Sequence, residues 1–210
     1  MSNGSGRHRA MLLLGPTGSG KTPLGNLIEA RGLWELSWVH FDFGAQLRKL
    51  VQHDCPDAPF TPEEIAWVAQ LLQTGALLEN EHFSIAERLL RSFLAQRARD
   101  PEICVVLNGL PRHVDQARAV DAIVDVCTVL SLRCTSQTVM ERIRSNVAGD
   151  RDERIDDDPQ MVLAKLALFH QRTAPVVEHY RALDVPIRRI VVTATMTPEH
   201  IWQILERRGG

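Results

Sequence analysis

The stretch LLLGPTGSGKT, Leu12 to Thr22, decides the fold. Three leucines follow Ala10 and Met11 in an apolar run of strand length. A glycine-rich loop comes next, and Lys21 and Thr22 open a helical pattern. The spacing G-x-x-x-x-G-K-[ST] between a strand and a helix is a phosphate cradle. Its glycines let backbone N–H groups turn inward around phosphate oxygens, and the N-terminus of the following helix adds its dipole. Gly15, Pro16, Thr17, Gly18, Ser19, Gly20, Lys21 and Thr22 are therefore the expected triphosphate-binding residues. Lys21 reaches the β and γ phosphates, and Thr22 offers a hydroxyl to Mg²⁺.

Outward from that loop, apolar runs bounded by turn residues predict buried parallel strands at 10–14, 37–41, 103–107, 127–132 and 187–192. Helix starts are marked between them. Thr61-Pro62-Glu63-Glu64 is a capping box with proline at the first helical position, and Asp158-Pro159 and Thr197-Pro198 repeat the cap-then-proline signal. Alternating strands and helices predict an α/β fold: a three-layer, doubly wound, parallel five-stranded sheet with ligands at the carboxyl ends of its strands.

The 210 residues, 44% of them hydrophobic, suffice for one domain. Residues 1–9 are expected to form a disordered polar tail and 10–210 a single domain. A formal net charge of -2 gives no global basic field for nucleic acid or an acidic membrane. No run approaches the ~18 apolar residues of a membrane span, so the expectation is a cytoplasmic monomer. Cys55, Cys104, Cys127 and Cys134 lack metal-ligand spacing and read as buried free thiols. Trp34, Trp38, Trp67 and Trp202 read as packing residues.

Phosphoryl transfer needs cations converging from several segments. Arg48 in FDFGAQLRKL, Arg112 in LNGLPRHVDQA, Arg142 in VMERIRS and Arg154 in GDRDERIDDD are the candidates. Asn108-Gly109-Leu110-Pro111-Arg112 leaves a buried strand through glycine and proline, where an α/β sheet keeps its ligands.

In chain order, GPTGSGKT, FGAQLR, TGALLENE, NGLPRHVDQA, ERI, RIDDD and TAPVVEHY resemble the motifs of the adenylate kinase-like nucleoside monophosphate kinases, from Leu12 to about Tyr180. The resemblance implies ATP as donor, Mg²⁺ as cofactor and a nucleoside monophosphate, AMP first, as acceptor. It also implies an acceptor-binding insert over 43–80 and a short lid over 144–157 without the zinc-bearing extension. Lys21, Arg112, Arg154 and Lys165 would be catalytic, and Arg142 would stack on or flank the donor adenine. Arg48, Leu78, Gly109, Arg112 and Gln116 would hold the monophosphate, with Gln116 facing its base. Asp156 and Asp157 would orient the lid cations.

Several positions depart from that pattern. Asn108 stands where an aspartate usually holds Mg²⁺ through water, so a metal-orienting charge is missing and Asn108→Asp is expected to speed transfer. Phe43 and Ala45 replace a threonine and an aspartate near the acceptor. Lys165 replaces an arginine and lacks its fork, and Asn146 falls at a further lid arginine. Two other readings stay open on these grounds: a catalytically weak nucleotide-binding module, and a P-loop kinase for a small molecule that is not a nucleotide.

Overall fold

The computed structural model describes residues 6–52, 60–76, 78–100, 102–147, 149 and 159–207. Among them the chain runs β1 (Arg9–Leu14), α1 (Lys21–Arg31), β2 (Trp38–Asp42), α2 (Phe43–Val51), α3 (Pro62–Thr74), α4 (Phe83–Arg97) and β3 (Cys104–Asn108). It continues through α5 (Val114–Asp121), β4 (Asp125–Arg133), α6 (Ser136–Ser145), α7 (Pro159–Leu168), α8 (Val176–Ala182), β5 (Ile187–Val191) and α9 (Pro198–Arg207). A 3₁₀ turn, Asn80–His82, precedes α4, and a π-helical turn, Phe169–Thr173, joins α7 to α8.

All five strands are parallel, in the order β2-β3-β1-β4-β5. Every expected strand is present, with ends displaced by at most two residues. Successive β1 side chains serve opposite layers, as the pleat requires. Ala10, Leu12 and Leu14 pack with Val105, Leu107, Leu89, Leu90 and Val120 beneath α4 and α5. Met11 and Leu13 pack with Leu24, Ile28, Ile201 and Leu205 beneath α1 and α9. Both faces are covered, which is why these strands read as unbroken apolar runs. β5 is an edge strand bearing Arg188 and Arg189, and its Val191 is 72% exposed.

The capping box on α3 is present in both directions: Glu64 N–H donates to Thr61 Oγ1, and Thr61 N–H to the Glu64 carboxylate. Thr197 Oγ1 accepts from the His200 N–H at the start of α9. α7 begins at Pro159 as expected, while its cap Asp158 lies outside the described residues. The tail boundary needs correction. The Asp125 N–H donates to the His8 carbonyl at 2.8 Å, Arg7 donates to the Asp121 carbonyl, and Arg9 already belongs to β1. Only residues 1–5 of that tail lie outside the described residues. None of the described helices is long and apolar enough to cross a membrane.

Candidate active site

β1 sits between β3 and β4, so the chain leaving β1 and the chain leaving β3 diverge to opposite sides, opening a crevice at their carboxyl ends. The loop Gly15–Gly20 fills one wall. Gly20, at φ 88°, caps α1 without a side-chain partner, and the first turn of α1 carries no acid. The leading N–H groups of α1 are thus left for an anion. Lys21 Nζ folds back over the loop, donating to the carbonyls of Gly15 (2.7 Å) and Pro16 (2.8 Å). Ser19 is fully buried and its hydroxyl donates to the Pro16 carbonyl, so it props the loop from inside.

Arg142, on α6, is placed behind that loop. Its Nε donates to the Gly18 carbonyl at 2.9 Å, and its Nη1 to the carbonyls of Thr193 (2.8 Å) and Met196 (2.6 Å). At 2% exposure it moors the loop to the segment after β5 and does not line the crevice. A stacking role on an adenine, as the resemblance implies, is not the geometry found.

Where β2 and β3 end side by side, Asp42 is paired in register with Asn108. Thr22 Oγ1 donates to Asp42 Oδ2 at 2.5 Å. The Asn108 amide donates to the same Asp42 oxygen at 2.8 Å and to Thr22 Oγ1 at 3.0 Å. Asp42 Oδ1 accepts the Ala45 N–H at 2.9 Å, capping α2. Burial pushes the Asp42 pKa upward, but the Thr22 and Ala45 hydrogen bonds, with His40 and Arg48 nearby, outweigh it and leave it below the ordinary carboxylate value. A hydroxyl and a carboxylate oxygen suit a hard cation such as Mg²⁺.

The second wall carries the other cations. Gly109, at φ 83°, turns the chain out of β3 and brings Arg112 back so that its Nε donates to the Gly109 carbonyl at 2.9 Å. The Arg112 carbonyl in turn accepts the Thr173 hydroxyl from the π-helical turn. Burial lowers the Arg112 pKa and Asp42 partly opposes it; the guanidinium stays charged. Arg48, exposed on α2, and Lys165, on α7 beside Gly75, complete the wall. Apolar residues of α2, α3 and the following loop, among them Leu47, Leu71, Leu72 and Leu78, floor a cavity of about 240 Å³ shared by both walls.

Of the expected site residues, Gly15, Thr17, Gly18, Gly20, Lys21, Thr22, Arg48, Leu78, Asn108, Gly109, Arg112 and Lys165 meet in this one cavity. Pro16 and Ser19 belong to the loop but do not line it. Gln116 is 1% exposed and spends its amide on the fold: its Nε2 donates to the Leu78 carbonyl (2.8 Å) and its Oε1 accepts the Arg112 N–H (2.9 Å). It fixes the backbone of two cavity residues from behind. Arg154, Asp156 and Asp157 lie outside the described residues, as does most of the lid. Asn146 is the C-cap of α6 in the left-handed region, at φ 45°, a position that favours asparagine.

Two groups were missed in the sequence. Asp42 was legible as a carboxylate ending a buried strand, and Thr173 opens the motif TAPVVEHY but was given no role. Arg172, in the same π-helical turn, also forks onto the Glu79 carboxylate and ties the residues before the 3₁₀ turn to it.

No protein-family model matches the chain. Proteins named adenylate kinase do. One from Stenotrophomonas maltophilia (strain R551-3) is 29% identical, covering 82% of this chain and 85% of the relative. One from Parvibaculum lavamentivorans is 28% identical, covering 82% and 79%. One from Haloarcula marismortui is 24% identical, covering 93% and 94%. Over most of its length the chain is similar to these adenylate kinases. Its relatives thus match the family that the motif order suggested. Among solved structures, a gluconokinase from Sinorhizobium meliloti 1021 superposes with a TM-score of 0.53 at 16% identity, covering 94% of this chain and 89% of that one. That likeness concerns the fold, a P-loop kinase sheet with helices on both sides.

Proposed function

We propose that the protein is a nucleoside monophosphate kinase that moves the γ-phosphoryl of ATP to a nucleoside monophosphate, with AMP the first candidate acceptor. The observation that carries this reading is the single cavity in which a phosphate-binding loop faces Arg48, Arg112 and Lys165 across an apolar floor. The adenylate kinase relatives support it.

The chemistry asks mainly for positioning and charge neutralisation. Lys21 exchanges its carbonyl partners for donor phosphate oxygens, which the open N–H groups of α1 also receive. Arg112, fixed through its Nε and its backbone, presents its remaining guanidinium N–H groups to the acceptor phosphate, and Arg48 approaches from α2. Mg²⁺ bound with ATP neutralises phosphate charge, and the Thr22 hydroxyl would hold it, with Asn108 beside it. Arg154 is assigned to the lid closing over the transferring group, where excluding water keeps the phosphoryl from hydrolysis. Lys165 approaches from α7 as a point charge.

A coupled diphosphate-release assay with ATP and Mg²⁺ against AMP, CMP, UMP, GMP and dTMP tests the reading. Turnover with one monophosphate is expected, falling ~10²-fold or more in Lys21→Ala and in Arg112→Ala with circular dichroism unchanged. Silence with all five acceptors while ATP still binds would remove the proposal.

A further inference from the structure

Asn108 leaves the corner between β2 and β3 without the charge expected at the end of β3. Yet among the described residues lining the cavity there is one carboxylate, Asp42, at the end of the neighbouring strand. We infer that Asp42 supplies the negative charge of the Mg²⁺ site and that Asn108 and Thr22 hold it in position. This inference rests on the ATP-binding part of the function proposed above.

Asp42 is tied from three directions. Ala45 N–H fixes Oδ1, while the Thr22 hydroxyl and the Asn108 amide converge on Oδ2. The arrangement also fixes the hydroxyl. With its proton committed to Asp42 and one lone pair receiving the Asn108 amide, Thr22 Oγ1 keeps a second lone pair, a neutral oxygen polarised by the carboxylate behind it. A hard cation gains from both: a donor oxygen whose orientation is set, and an anion in contact with that donor. Asn108 is then a positioning residue and no defect, because its amide donates to Asp42 and Thr22 together, which an ionised carboxylate at that position cannot do. A carboxylate in its place would oppose Asp42 across a 2.8 Å contact.

Asp42 has a structural duty as well, capping α2, and the test must separate it from the charge. Asp42→Asn removes the charge and keeps the cap, since asparagine caps a helix about as well as aspartate; its amide also sets a donor against the Asn108 amide, a cost that the melts read separately. The experiment is calorimetric titration of the wild type and Asp42→Asn with a non-hydrolysable ATP analogue, with and without Mg²⁺, alongside thermal melts of both. In the wild type Mg²⁺ is expected to tighten nucleotide binding. In Asp42→Asn the melt falls but stays cooperative and the Mg²⁺-dependent gain shrinks by ~10-fold or more, while binding without Mg²⁺ holds or improves because an anion near the phosphates is gone. An undiminished Mg²⁺ gain in the variant would overturn the inference and leave the kinase reading standing. A wild type that binds no nucleotide would remove both.

Discussion

At residue scale, two close contacts decide what the chain tolerates. Asp42 and Asn108 meet at 2.8 Å with one charge between them. Asn108→Asp places two carboxylates there, and like charges at that range cannot both stay ionised comfortably. The expected outcome is a lower melting temperature in Mg²⁺-free buffer, partly restored by Mg²⁺ with ATP. The acceleration expected from sequence assumed an empty corner, which Asp42 already fills. The second contact concerns Gly25, inside α1. A Cβ there would lie 2.3 Å from His40 Nε2 and 2.5 Å from two ring carbons, and the ring is held by Nδ1 against Asn26 Oδ1 at 2.8 Å. Alanine normally gains about 1 kcal/mol over glycine in a helix, but overpacking typically costs about 1–3 kcal/mol. Gly25→Ala is therefore expected to destabilise in urea unfolding. Adding His40→Ala should make the pair strongly non-additive.

At the scale of elements, the phosphate loop is held by α6. Arg142 reaches three carbonyls on two segments, Gly18 on one and Thr193 and Met196 on the other. Lysine keeps the charge and loses the planar fork. Arg142→Lys is expected to lower the melting temperature by several degrees and weaken ATP binding, measured by calorimetry, though the side chain does not line the site cavity. Such a residue marks the limit of legibility. The caps of α3 and α9 and the phosphate loop itself were readable, because their partners lie within a few residues. Arg142, Gln116 and Thr173 take partners 124, 38 and 61 residues away. No local pattern encodes which carbonyl a buried fork will find. The π-helical turn Phe169–Thr173 was likewise invisible, since its sequence continues the helical pattern on either side.

For the whole molecule, the sheet was the most legible part, since parallel strands covered on both faces need long apolar runs and leave little ambiguity. The same burial sets the response to pH and to thiol reagents. Burial lowers the pKa of His40 against the upward pull of Asp42 and Glu29, and that of His113, with Arg172 adding to the effect. A base depressed in the folded state keeps the protein's stability intact above its unfolded pKa, about 6.5. Below it the unfolded chain takes up protons that the folded chain refuses. Melting temperatures are expected to be level above about pH 7 and to fall between pH 6.5 and 5.5, with a shallower fall in His40→Gln. Burial also pushes the Cys104 thiol up to about 11 and raises Cys127 and Cys134. Peptide-resolved mass spectrometry should find these three slow to alkylate at pH 8 in the native protein and fast in denaturant. Lys21, finally, has its ammonium shared between two carbonyls of its own loop. Nucleotide binding at Lys21 is accordingly an exchange of neutral carbonyl oxygens for charged phosphate oxygens, its driving force the difference between two hydrogen-bonded arrangements and not the capture of a bare cation.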